Sequence, residues 1–353
     1  MKNLSIDNDI YSLSKTLADQ KDLETLCEDR RLDTEEIFPP NAFYGIDSII
    51  KTYTGLTNNH LLKLIIPHGI VFSKDHVWEA EANFPLPVVL SYPDYRFESY
   101  KRRSKKIVIK ASSPYLYLLE LMKQTPKPKR NGLIFFPSHS THHVTAETDY
   151  EEIVKTLLKL EKIFNPITVC MYWRDYNLGR HRYFTKHGIN VVSAGHMYDP
   201  NFLYRFYHLC SFHKYSASND LGSSLFYSIA SGCSFFFINN IITMYKADHT
   251  VLDQDHPPIP NETEKQLRNL FNFPISYSDE ERDSVANLYL GKKHQLSPKD
   301  LKLILIHAGN MDKYGYFIDR EYGGNEYVFS PNIKRRIRQF KSFIKSTIPT
   351  NYQ

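Results

Sequence analysis

A chain of 353 residues, 42% hydrophobic and 14% aromatic, has enough apolar material for two ordinary domains with buried cores, which excludes a disordered or low-complexity protein. Its net charge of +5, from 44 Lys and Arg against 39 Asp and Glu, is too small to argue for nucleic acid as a partner. Cys27, Cys170, Cys210 and Cys233 form no CxxC pair, and the start MKNLSIDNDIY lacks the apolar core of a signal peptide; we therefore expect reduced thiols in a soluble, cytoplasmic protein.

Taken in order, residues 1–40 are polar and mildly acidic, with helical fragments at 12–21 and 22–31, and read as a helical lead-in. A helix over 47–53 stops at Gly55, and the apolar run 61–66 reads as a buried strand closed by Pro67-His68-Gly69. Residues 86–90 and 106–109 are two further strands. Ser113 with Pro114 opens a helix through 122, Ser as its N-cap and Pro in the first turn. Residues 124–130, QTPKPKR, form the linker: two prolines, three basic residues and no large apolar side chain.

After the linker the pattern restarts. Strands at 132–136, 167–173, 189–193, 212–216 and 234–238 alternate with helices at 148–164, 180–187, 200–209 and 225–230, the last stopped by Gly232. That alternation predicts an α/β fold with a doubly wound, Rossmann-like parallel sheet. Beyond Thr250 come a Pro-rich loop at 253–261, a helix from Ser278 to about 290, and another from Ser297-Pro298 to 307. A basic amphipathic helix spans 332–348, with Ile333, Ile337, Phe340 and Ile344 on one face. It suits peripheral contact with the inner face of a membrane, or packing of its apolar stripe on the first domain. The domains so read are 1–123 with the lead-in, linker 124–130, 131–330, and the tail 331–353.

Ligands of open α/β sheets bind beyond the carboxyl ends of the strands. The polar residues at those ends are His68 and Gly69, Asp94, and Ser112-Ser113 in the first domain. In the second they are Ser138-His139-Ser140, Arg174-Asp175, Gly195-His196, and the loop Ser216, Ser218, Asn219, Gly222, Ser223, Ser224. That loop enters a helix, and a helix entrance rich in N–H and hydroxyl groups suits phosphate, although it is also what a well-capped corner looks like. Arg and N–H groups would take phosphate, and hydroxyl and amide groups a ribose or sugar. His142-His143 lack further ligands at helical spacing and read as loop histidines. Asp7-Asn8-Asp9 and Asp253-Gln254-Asp255 have the letters of a metal-binding DxD but sit away from strand ends, so no metal is expected. The absence of GxxxxGK[ST], GxSxG and GxGxxG disfavours a P-loop NTPase, an α/β-hydrolase and a typical dinucleotide enzyme.

The His68-Gly69 step, the Ser138-His139-Ser140 turn and the loop–helix–Gly–strand unit at 216–238 together resemble GT-B glycosyltransferases, in particular bacterial enzymes that build capsule and lipopolysaccharide chains. The resemblance implies two Rossmann-like domains facing across a cleft, a nucleotide-sugar donor, and a saccharide or lipid-linked saccharide acceptor, with no cofactor. It implies His68 as the base for the acceptor hydroxyl, with Asp94, Glu79 and Glu81 as carboxylate alternatives. Ser138, His139, Ser140, Arg174, Gly195, His196, Ser218, Asn219, Gly222, Ser223 and Ser224 would then hold the donor. A nucleotide-sugar epimerase or polyol-phosphate transferase of the same fold, and a non-catalytic binding component of a polysaccharide locus, are the alternatives.

Overall fold

The computed structural model describes residues 23–246, 259–275 and 277–313, with side chains to 310. The helical fragment at 12–21, both DxD triplets and the basic tail at 332–348 lie outside the described residues. The chain forms two compact units. One joins Leu32–Tyr117 to the chain from Asn287, the other the chain up to Arg31 to Leu118–Ala286. These differ from the contiguous domains read from sequence. Among the described residues no helix is long and apolar enough to cross a membrane.

In the first of these units, β1 (Val88–Ser91) and β2 (Ile107–Lys110) pair in parallel. The helix Asp94–Arg103 between them ends on Lys101, Arg102 and Arg103, cations placed at the negative end of the helix dipole. The expected strand at 61–66 is buried and extended but joins the sheet at one bridge, Ile65 to Val89. Side chains explain why. Asn41 donates to the Leu64 carbonyl (2.8 Å) and accepts from the Ile66 N–H (2.9 Å), while the Glu36 carboxylate takes the Leu62 N–H (3.0 Å). Groups that a ladder would have paired are already satisfied. The sheet here is narrower than a full Rossmann-like domain.

The second unit carries the larger sheet. Its strands are β3 (Leu133–Phe136), β4 (Val144–Thr148), β5 (Ile167–Cys170), β6 (Asn190–Val192), β7 (Tyr215–Ser218), β8 (Ser234–Phe237) and β9 (Ile242–Lys246). Five of them form a parallel sheet in the order β6-β5-β3-β7-β8. This is a doubly wound sheet whose order reverses between β3 and β7. Leu133, Phe135, Val169, Ala217 and Phe236 make its core with Ile153, Leu157 and Leu160 of the helix Tyr150–Phe164. At the start of β3, Gly132 has φ +65, and a Cβ there would stand 2.1 Å from the Pro166 carbonyl oxygen, so only glycine fits.

Several boundaries differ from the sequence reading. Trp173 opens a short helix, Trp173–Asn177, instead of closing a strand, and the helix Phe202–Phe212 runs on through Phe212. Ser216 and Ser218 are therefore strand residues of β7. Residues 144–148 form β4, paired antiparallel with β9, where the sequence suggested loop and helix start; Asp149 caps the helix by accepting the Glu152 N–H at 2.9 Å. The lead-in belongs with this unit as well. Leu26 and Cys27 of the helix Leu23–Cys27 bury against Trp173, and Asn177 Nδ2 donates to the Cys27 carbonyl at 2.7 Å. All four cysteines are buried free thiols.

Candidate functional site

The crevice at a topological switch point is where an open α/β sheet places its ligand, and here it lies between the ends of β3 and β7. Two residues singled out from sequence close on one another there. The Ser138 N–H donates to Asn219 Oδ1 (2.7 Å), and Asn219 Nδ2 donates to Ser138 Oγ (3.2 Å) and Thr148 Oγ1 (3.4 Å). Asn219 is fully buried and Ser138 nearly so. Ser218, also buried, accepts the Asp220 N–H at 3.0 Å and shapes the turn out of β7.

That turn delivers the chain to the helix Ser223–Ala230. Gly222 is its N-cap, no side chain caps it, and a Cβ at Gly222 would meet nothing within 4 Å. The first turn carries half-buried Ser223 and Ser224, and the Leu225 N–H donates to the Gly222 carbonyl at 3.3 Å. His139 is exposed at the tip of the β3 turn, its ring edge-on to Tyr172 at 4.7 Å. Burial pushes the Asp220 carboxyl up, against the opposing charges of His139 and Arg268. Arg268 Nη2 stands 3.5 Å from the Asn219 carbonyl, its guanidinium over the Phe237 ring and its Nε on Glu264 (2.7 Å).

Ser140 and Gly195 are committed to the fold instead of facing a ligand. The Ser140 N–H donates to Asp175 Oδ2 (2.8 Å) and its hydroxyl to Asp175 Oδ1 (2.9 Å). Arg180 then ties the hydroxyl (2.9 Å), Asp175 and Glu147 (2.6 Å) together. Asp175 accordingly pairs with Arg180, not with its neighbour Arg174. Arg174 lies in the helix after β5, half-buried, and its Nε is buried without a hydrogen-bond partner. Gly195 has φ +99, and a Cβ would lie 2.7 Å from Arg205 Nη1; Arg205 is buried on the Ala194 carbonyl and Asp199, both at 2.8 Å. His196 is fully buried, away from Ser138 and Asn219, against Trp173 and Asp29.

In the other unit, His68 ends the extended segment at Pro67-His68-Gly69, which the Tyr92 hydroxyl holds by donating to the Pro67 carbonyl at 2.9 Å. The His68 ring stands edge-on to Phe43 at 5.0 Å and beside Tyr44, whose φ of +61 is unusual for a tyrosine. Its Nδ1 is buried without a partner, and burial lowers its pKa to about 4, so the ring is neutral at neutral pH. Asp94 is not a free base. Burial pushes its carboxyl up, but hydrogen bonds from Lys293 and from His294 Nε2 (2.6 Å), with the charge of Lys110 at 3.6 Å, hold it below the ordinary range. Glu81 is likewise taken up, by Tyr100 and Arg96 (3.5 Å).

Of the residues at the switch point, Thr148, Asp220 and Arg268 were not anticipated. Asp220 was adjacent to the loop already chosen, but Arg268 arrives from a helix whose sequence signals only its own ends. Asp29 carries no motif at all; only its place near the apolar Leu23, Leu26 and Cys27 hinted that the segment docks.

No protein-family model and no curated protein sequence matches the chain. Among solved structures it is similar to the pneumococcal O-GlcNAc transferase GtfA in complex with UDP and GlcNAc, with a TM-score of 0.32 and 8% sequence identity, over 85% of this chain and 54% of that one. The chain thus spans about half the length of that transferase.

Proposed function

We propose that this chain is a glycosyltransferase that moves a sugar from a nucleotide-activated donor to a bacterial surface polysaccharide or lipid-linked saccharide. The donor's nucleotide and phosphates would lie at the β3–β7 switch point. The observation that carries the reading is the Ser138–Asn219 clasp beside the uncapped amino end of the helix Ser223–Ala230. The amino end of a helix, by its N–H groups and its dipole, favours phosphate oxygens, while His139, Arg174 and Arg268 supply positive or donor character on the same rim. This assigns neutralisation of the departing phosphate to side chains and backbone, with no metal called for. Proton removal from the acceptor hydroxyl is assigned to His68, which is neutral and offers an unpartnered Nδ1.

A thermal-shift panel of uridine, guanosine, cytidine and thymidine diphosphates and their sugars tests the binding step, since a ligand specific for the native state stabilises it by about 2.7 kcal/mol at a hundred times its Kd. Stabilisation by one nucleotide, lost in Asn219→Ala, is the expected result. No shift with any of them overturns the reading. The low basicity of His68 favours a second reading, a nucleotide-binding component without turnover. Release of free nucleotide diphosphate from the bound donor, abolished in His68→Ala with binding intact, separates the two.

A further inference from the structure

Three polar side chains converge near the loop after β6, the edge strand that stands two positions, about 10 Å, from β3. The His142 and His196 side chains and the Asp29 carboxylate bring ligand atoms within 4.8 Å of one another, each imidazole Nε2 lying 3.4 Å from Asp29 Oδ1. His196 is fully buried, and its Nε2 makes no well-aligned hydrogen bond, with Asp29 Oδ1 the nearest acceptor at 3.4 Å. Trp173, whose ring centroid is 4.1 Å from that of His196, buries an unpartnered Nε1–H. Asp29 is 61% and His142 29% exposed at the side chain, so the cluster meets solvent on that side, with His196 and Trp173 buried behind them.

Two histidines and a carboxylate suggest a transition-metal ion, but the hydrogen bonding opposes one. The Tyr198 N–H donates to His196 Nδ1 at 3.0 Å, so Nδ1 carries the lone pair. Burial, which lowers the His196 pKa to about 4, keeps the ring neutral, and its single proton then sits on Nε2. A metal-bound histidine has the opposite arrangement, its lone pair on the metal and its other nitrogen donating. His196 therefore presents an N–H to the cluster. An anion is disfavoured too, because Asp29 already places a carboxylate there.

A hydroxyl fits this set. Its oxygen accepts from His196 Nε2–H, its proton goes to Asp29 Oδ1, and Trp173 Nε1–H offers a second donor for a neighbouring oxygen. The rings of His142 and Tyr198, stacked at 5.7 Å and 17°, add an apolar border of the kind that the C–H face of a sugar covers. We propose that Asp29, His142 and His196 form a saccharide subsite at the β6 edge, separate from the nucleotide crevice.

Saturation-transfer NMR with glucose, galactose and N-acetylglucosamine at millimolar concentration, on the full chain, tests this. At least one sugar should receive saturation, and Asp29→Ala should weaken its binding by about tenfold, the worth of one charge-assisted hydrogen bond. Trp173→Phe, which keeps an aromatic ring and removes the Nε1–H donor, should weaken it also, while Asn219→Ala should leave it unchanged. Absence of saturation for all three sugars overturns the proposal, as does equal binding by the wild type and the Asp29 variant. Stoichiometric Zn²⁺ binding that Asp29→Ala abolishes also overturns it, in favour of an ion site. A nucleotide-binding failure in the thermal-shift panel would leave this sugar result standing, so the two readings fail separately.

Discussion

Lowering the pH from 7 to 4.5 should cost the native state about 2–3 kcal/mol through His68 alone. Its folded pKa of about 4 lies below the ordinary 6.5, so the unfolded chain takes up the proton first as pH falls. The stabilisation is fully present above pH 6.5 and is lost as pH drops toward the folded value. At pH 4.5 the unfolded imidazole is almost wholly protonated and the native one mostly neutral. At about 1.4 kcal/mol per unit of pKa, that difference in protonation gives a cost of about 2–3 kcal/mol. Urea unfolding at the two pH values, on the wild type and His68→Gln, isolates it. Gln cannot titrate, so the variant's pH difference should be smaller by about 2–3 kcal/mol. His196, also lowered to about 4, contributes alike to both proteins and cancels, and Asp94 acts only below its ordinary value of 3.8. An unchanged pH difference, or a His68 resonance titrating near 6.5, would falsify the claim that the ring is desolvated. With it would go the argument for a neutral base.

Three further perturbations probe the larger sheet. Asn219→Ala leaves the buried Ser138 N–H without its acceptor and should cost about 2 kcal/mol in urea unfolding; a loss within experimental error would show the clasp to be solvated. Asp175→Ala strands the Arg180 guanidinium and frees both donors of Ser140, for which about 3–5 kcal/mol is expected, and a cost under about 1 kcal/mol would contradict the burial of the network. Gly195→Ala forces a Cβ against Arg205 at a left-handed φ and should lower stability by about 1–3 kcal/mol, read as a fall in Tm; an unaltered Tm would mean that Arg205 moves aside freely.

Four of the parallel strands of the larger sheet were legible as apolar stretches bounded by Gly, Pro or polar turns, whereas β7, Tyr-Ser-Ala-Ser, overlaps the expected strand 212–216 only at Tyr215 and Ser216. The clasp residues were legible as a class, since a rule about strand ends needs no knowledge of the fold's details. What the sequence could not convey is which polar groups the protein uses internally. Ser138 and Ser140 are two residues apart in one turn, yet the first faces Asn219 and the second Asp175 and Arg180. For Asp175 the sequence suggested only its neighbour Arg174, yet the partner is Arg180. Gly179, with φ +76, turns the chain back so that the more distant arginine reaches it. The β4–β9 pair escaped notice because its partners are nearly a hundred residues apart and neither alternates strictly.

The same strand-end rule fails in the other unit, for a reason that bears on function. Leu290 accepts the Ser113 N–H at 2.8 Å, and a Cβ on Gly291 would lie 2.8 Å from the Ala111 carbonyl oxygen and 3.0 Å from Tyr92 Cβ. The chain from Leu290 to His294 thus lies against the carboxyl ends of β1 and β2, and His294 with Lys293 takes up the Asp94 carboxylate there. Polar residues at those ends serve the packing of this returning segment. At the ends of β3 and β7 it is Thr148 and Arg268 that reach Asn219, and a Cβ on Gly222 would meet nothing within 4 Å. Of two rims that look alike in sequence, one is filled by the protein's own chain. The proposed ligand site is therefore set at the switch point, where the Ser138–Asn219 clasp ties the two turns together. In the β1–β2 unit the group left with an unpartnered nitrogen at a strand end is His68, and not the carboxylate of Asp94 that sequence alone had ranked beside it.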